Sequence, residues 1–99
     1  NTQYVEGTRI MNAQAFEKLV QNFKKMSEKK IFSYLHFVIK NDKSYGETDT
    51  MLSGLIRTND VVGLDKDGKV NVLLSQATPN DLPRITPRFE NRGVEFDLI

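Results

Sequence analysis

The sequence has 99 residues, enough for one hydrophobic core and too few for two. Hydrophobic residues make up 38% and charged residues 27%, and 14 Lys and Arg against 13 Asp and Glu leave a formal charge of +1; this is a globular composition without the basic excess of a DNA or RNA binder. The absence of cysteine excludes disulfides, thiol catalysis and zinc ribbons, a single His36 excludes a multi-histidine metal site, and no apolar run approaches the ~20 residues that cross a bilayer.

The first periodic segment runs from about Asn12 to Ser27. Ala15, Phe16, Leu19, Val20, Phe23 and Met26 recur at three- and four-residue steps, with Glu17, Lys18, Gln21, Lys24 and Lys25 opposite. That spacing predicts an amphipathic helix, with Asn12 as N-cap. Ile31 to Ile39 is almost continuously apolar and rich in β-branched and aromatic residues, the pattern of a strand in the middle of a sheet. His36 within it reads as a hydrogen-bonded core residue. Asn41 to Gly46 reads as a loop, and Thr48 to Ile56 as a short helix weakened by Gly54.

Asp60 to Leu64 and Lys69 to Leu74 are two short strands around Asp65-Lys66-Asp67-Gly68, where Asp-Gly signals a hairpin. Turn chemistry also explains the two aspartates, whose spacing does not fit an EF-hand. Thr78-Pro79-Asn80-Asp81 reads as a helix start with Thr as N-cap. Pro87 is expected to kink or restart that helix, Gly93 to cap it, and Val94 to Leu98 to form a last strand. After the leading helix the order is β-α-β-β-α-β. The fold class is therefore α+β, a ferredoxin-like antiparallel sheet with an extra N-terminal helix.

Three stretches together resemble the GGDEF family, with its nucleotidyl cyclase-like (diguanylate cyclase) fold. Thr8-Arg9-Ile10-Met11-Asn12-Ala13-Gln14-Ala15-Phe16-Glu17 is similar to the family's opening T-G-L-x-N-R-R-x-F-E, with Thr8, Asn12 and Phe16 in register. Arg57-Thr58-Asn59-Asp60 matches the R-x-x-D motif of the family's inhibitory site. Five residues later, Lys66-Asp67-Gly68-Lys69-Val70 stands where the family has its signature G-G-D-E-F. The resemblance covers most of residues 1–99, read as a single degenerate GGDEF-like domain; because it starts at Asn1, the domain is expected to come from a longer chain.

The departures bear on function. Lys69 stands where the resemblance places a key acid, and Leu35 to Lys40 lacks the aspartate that ends the family's first strand. Two-metal phosphoryl transfer needs those carboxylates, so no catalytic residue, metal or cofactor is expected and the domain is read as not an enzyme. The resemblance implies a receptor for cyclic di-GMP. Arg57 would donate to guanine O6 and N7, and Asp60 would accept from N1–H and the exocyclic amine. Arg88 has the best matching spacing for a third, assisting arginine, with Arg84 and Arg92 as nearby alternatives, and Arg57, Arg88 and Arg92 together would complement the two phosphate charges. Receptors of this kind serve biofilm and exopolysaccharide machinery, including Pel-type systems. The expected location is cytoplasmic, within a free or membrane-anchored chain. The expected partners are cyclic di-GMP, further domains of the same chain or that machinery, and a second copy of the chain. The competing reading is a ligand-free dimerisation or docking module.

Overall fold

The computed structural model describes residues 3–99. Helix α1 spans Ala13–Glu28, strand β1 Tyr34–Ile39, helix α2 Tyr45–Leu52, strand β2 Val61–Leu64 and strand β3 Val70–Ser75; a 3-10 turn at Pro79–Asp81 leads into helix α3, Leu82–Asn91, and strand β4 is Phe96–Leu98. The strands form one antiparallel sheet in the order β2-β3-β1-β4. The domain is therefore α+β, with a four-stranded antiparallel sheet and three helices.

Each face of the sheet has its own cluster. On one face Leu35, Phe37, Ile39, Val70, Val72 and Leu74 pack against Leu52 of α2 and Ile85 and Phe89 of α3. Phe37, Phe89 and Phe96 meet there as three mutually contacting rings. On the other face Phe16, Val20 and Phe23 of α1 close over Leu73. The leading helix is thus the cover of the second face. It crosses so near β2 that Gly63 lies directly under Phe16.

Local chemistry sets the boundaries. The Asn12 side chain caps α1 by accepting from the Ala15 amide at 2.8 Å. Lys30, at φ 61, ends α1 in the left-handed region, and its amide and that of Ile31 bond back to Ser27 and Met26. Ile31 leaves that turn 70% exposed, so β1 begins at Tyr34 rather than at Ile31. Helix α2 starts earlier than expected, at Tyr45, because Ser44 and Glu47 form a reciprocal capping box; it stops at Leu52, ahead of Gly54 at φ 86. Pro87 neither breaks nor restarts α3, which is continuous from Leu82 to Asn91. Its ring removes a single amide donor from the second turn, and buried Ile85 and Phe89 hold the helix across it. Gly93 (φ 76) and Val94 close α3 with bonds to Glu90 and Phe89, a Schellman ending that delays β4 to Phe96.

Candidate functional site

The Arg57-to-Asp60 turn joins α2 to β2. It is closed from both sides: the Asp60 amide donates to the Arg57 carbonyl at 3.0 Å, and the Arg57 amide donates to Asp60 Oδ2 at 2.7 Å. Arg57 Nε and Nη2 then donate to the two carboxylate oxygens at 3.2 Å each. The end of β3 completes the clasp. The Ser75 amide donates to Asp60 Oδ1 at 2.9 Å, the Ser75 hydroxyl donates to the Asn59 carbonyl, and Arg57 Nη2 also donates to the Ser75 carbonyl.

The two motif residues are therefore together, in unequal positions. The Asp60 side chain is 0% exposed and that of Arg57 is 58% exposed. Each Asp60 oxygen already accepts two hydrogen bonds, so the carboxylate is occupied internally as it stands. Arg57 has Nε and both Nη2 protons engaged, and among the described residues Nη1 alone has no partner. Asp60 thus organises the turn, and Arg57 presents Nη1 to solvent chemistry.

The other arginines lie elsewhere. Arg88 is exposed on α3. Arg92 Nη2 donates to the Thr50 carbonyl at 3.3 Å, adding a second donor to the one that the Ser53 amide supplies at the end of α2. Arg84 reaches Asp81 at 3.5 Å across an exposed helix start. None of the three lines either cavity that Arg57 lines.

The larger of those cavities, about 600 Å³, lies between the N-terminal segment, α2 and the turn, and its walls include Tyr4, Arg9, Asp49, Arg57, Asp60 and Val62. Arg9 and Asp49 were not among the expected site residues. They are forty positions apart, and nothing in either's local sequence signals the meeting. Ser75 escaped for a similar reason: it closes the clasp from across the hairpin.

A second cavity of about 610 Å³ opens at the end of β1. Its walls carry Lys40, Asp42, Lys43 and Lys69, and Tyr45 reaches over it to donate its hydroxyl proton to the Gly68 carbonyl at 2.7 Å. Among the described residues no three His, Asp or Glu side chains gather as metal ligands. Lys40 is also drawn to Asp97 at 3.6 Å.

The hairpin between β2 and β3 is braced from inside. Asp65 Oδ1 accepts from the Asp67 and Lys69 amides at 2.9 and 3.0 Å. The Asn71 amide group donates to Asp65 Oδ2 and to the Lys69 carbonyl, so its Oδ1 is the acceptor facing His36 Nε2 at 2.7 Å. His36 therefore carries a proton on Nε2 and works as a hydrogen-bonded strand residue. Partial burial pushes the Asp65 carboxyl up, but the bonds from Asn71 and the Lys69 and Asp67 amides outweigh it and hold the group below its ordinary value.

No model of a known protein family matches the sequence, and no curated relative matches it. Among solved structures, a crystal structure of a DGC protein from Thermotoga maritima is similar, with a TM-score of 0.61 and 21% identity over 93% of this chain and 80% of that one. At that identity the likeness concerns the fold, and it gives the chain a GGDEF-like fold.

Proposed function

We propose that the chain is a non-catalytic receptor domain for cyclic di-GMP, a degenerate member of the GGDEF family built on a ferredoxin-like sheet. The observation that carries this reading is Arg57. Its guanidinium is fixed along Nε and Nη2 by Asp60 and Ser75, keeps Nη1 without a partner, and lines a cavity of about 600 Å³. A pre-oriented arginine loses little freedom when Nη1 meets an acceptor on the guanine edge, O6 or N7. Asp60 acts in this reading by holding Arg57. Arg88 and Arg92 would serve as remote cations rather than as walls of the cavity.

The positions that carry catalytic acids in the family lack them here: Lys69 stands at the hairpin's acid position, and the end of β1 offers Ile39 and Lys40. No cyclic di-GMP is expected from GTP with magnesium. The output would be regulation of attached domains or of exopolysaccharide machinery on the cytoplasmic side of a membrane. No helix among the described residues is long and apolar enough to cross one.

The second reading, a docking or dimerisation module without nucleotide, is favoured by one feature. The Arg57–Asp60–Ser75 clasp is complete without a ligand. Calorimetric titration of the chain with cyclic di-GMP decides between them. Saturable one-site binding that Arg57→Ala abolishes supports the receptor. No heat at millimolar ligand supports the module.

A further inference from the structure

We infer that Arg9 and Asp49 form the base-reading half of the cavity beside Arg57, and that they take the edge of a guanine. The inference rests on the receptor reading and adds to it two residues outside the R-x-x-D motif.

The Arg9 amide donates to Asp49 Oδ1 at 3.1 Å, joining the N-terminal segment to α2. That bond fixes the carboxylate and leaves Oδ2 without a partner among the described residues. The Arg9 guanidinium likewise has no hydrogen bond or ion pair with any of them. Both side chains line the same cavity as Arg57. The backbone that carries Arg9 is fixed on both sides. The Val5 amide bonds the Ile10 carbonyl at 2.8 Å, Ile10 is fully buried, and Met11 bridges to β2 through the Val62 carbonyl and the Leu64 amide.

This wall offers an unpartnered fork of donors and an unpartnered acceptor. Guanine offers the complement: adjacent acceptors at O6 and N7, and adjacent donors at N1 and the exocyclic amine. A carboxylate is the acceptor that takes both donors; Asp60 carries two bonds on each oxygen, whereas Asp49 carries one, on Oδ1. The charges agree. Arg9 and Arg57 face Asp49 and Asp60, so the lining is balanced, which suits a neutral base with donors and acceptors better than a polyphosphate with acceptors only. Arg9 also stands where the family's opening motif has glycine, so this guanidinium belongs to this chain.

The test is a titration of the full chain and its variants with cyclic di-GMP and cyclic di-AMP, with the thermal midpoint recorded for each variant. Arg9→Ala keeps the backbone amide that Asp49 holds. Asp49→Asn keeps the oxygen facing that amide and turns an amide donor toward the cavity. Each is expected to weaken cyclic di-GMP binding by at least about tenfold with the fold intact. Asp49→Asn should also narrow the preference over cyclic di-AMP, because Asn matches the donor and acceptor of adenine; a purely structural role for Asp49 would not move that ratio. If wild type binds, Arg57→Ala fails to bind, and both new variants bind like wild type, the inference is overturned and the receptor reading stands. If wild type binds neither dinucleotide, both are overturned.

Discussion

Gly63 on β2 lies so close beneath Phe16 of α1 that a Cβ built on it would fall 2.3 Å from Cδ1 and 2.6 Å from Cβ of that ring-bearing side chain. The contact involves the root of the phenylalanine, which cannot swing away without moving α1. Gly63→Ala should therefore destabilise the domain by about 1–3 kcal/mol through overpacking. Urea denaturation checks it: the midpoint should fall with an unchanged slope, and a midpoint equal to wild type would mean that α1 rides loosely on the sheet.

The Arg57–Asp60 pair should be asymmetric in stability. Asp60→Ala removes a fully enclosed acceptor and strands the Ser75 and Arg57 amides, so it should cost about 2–3 kcal/mol. Arg57→Ala removes a largely exposed side chain, and should cost about 1 kcal/mol or less. Denaturation of the two single variants settles the order. Equal losses would contradict the assignment of Asp60 as the organiser.

Much of the fold was legible because its signals are local. The α1 stripe, the Asn12 cap, the Asp67-Gly68 turn and the Gly93 ending all lie within a few residues of the structure they set. The start of α2 was missed: Ser44 and Glu47 have the spacing of a capping box, but the Gly46 between them reads first as a loop. Ile31 misleads as a strand residue, since its apolar side chain is turned outward by the left-handed Lys30. The candidate site was half legible. Arg57 and Asp60 announce themselves by spacing. The occupation of Asp60 by Ser75 and the meeting of Arg9 with Asp49 depend on contacts made only in the folded sheet.

Acid should expose the hairpin brace. Asp65 titrates below its ordinary value near 3.8, since the bonds from Asn71, Lys69 and Asp67 outweigh the opposing effect of burial. As pH falls past that value the unfolded chain takes up the proton first. The stability Asp65 contributes is thus complete above the unfolded value and is lost as pH falls through the lower folded one. Asp81, through the Thr78 amide, and Glu47, through the Ser44 side chain, act in the same direction. Asp65→Asn should therefore reduce the stability difference between about pH 7 and about pH 3. An unchanged acid limb in denaturant titrations at the two pH values would remove Asp65 from this role.

One substitution should strengthen the protein. Lys30 occupies the left-handed position of the α1 ending, where glycine carries no steric penalty. Lys30→Gly should stabilise by about 0.5–1 kcal/mol, less the added freedom of the unfolded chain. A rise in the thermal midpoint is the expected readout. A fall would show that the lysine side chain makes compensating contacts.

The strand order β2-β3-β1-β4 also dictates a sequence of events during folding. Only β2 and β3 are joined by a tight turn; β1 must wait for partners far along the chain, pairing Tyr34 with Ser75 and Phe37 with Leu98. Closing those long loops costs entropy before any pairing rewards it. The Asp60–Ser75 bond shuts the open end of the hairpin, opposite its turn, so the β2–β3 hairpin is expected to form ahead of its pairing with β1. Loss of that bond should appear in stopped-flow kinetics chiefly as slower folding, with the unfolding rate little changed.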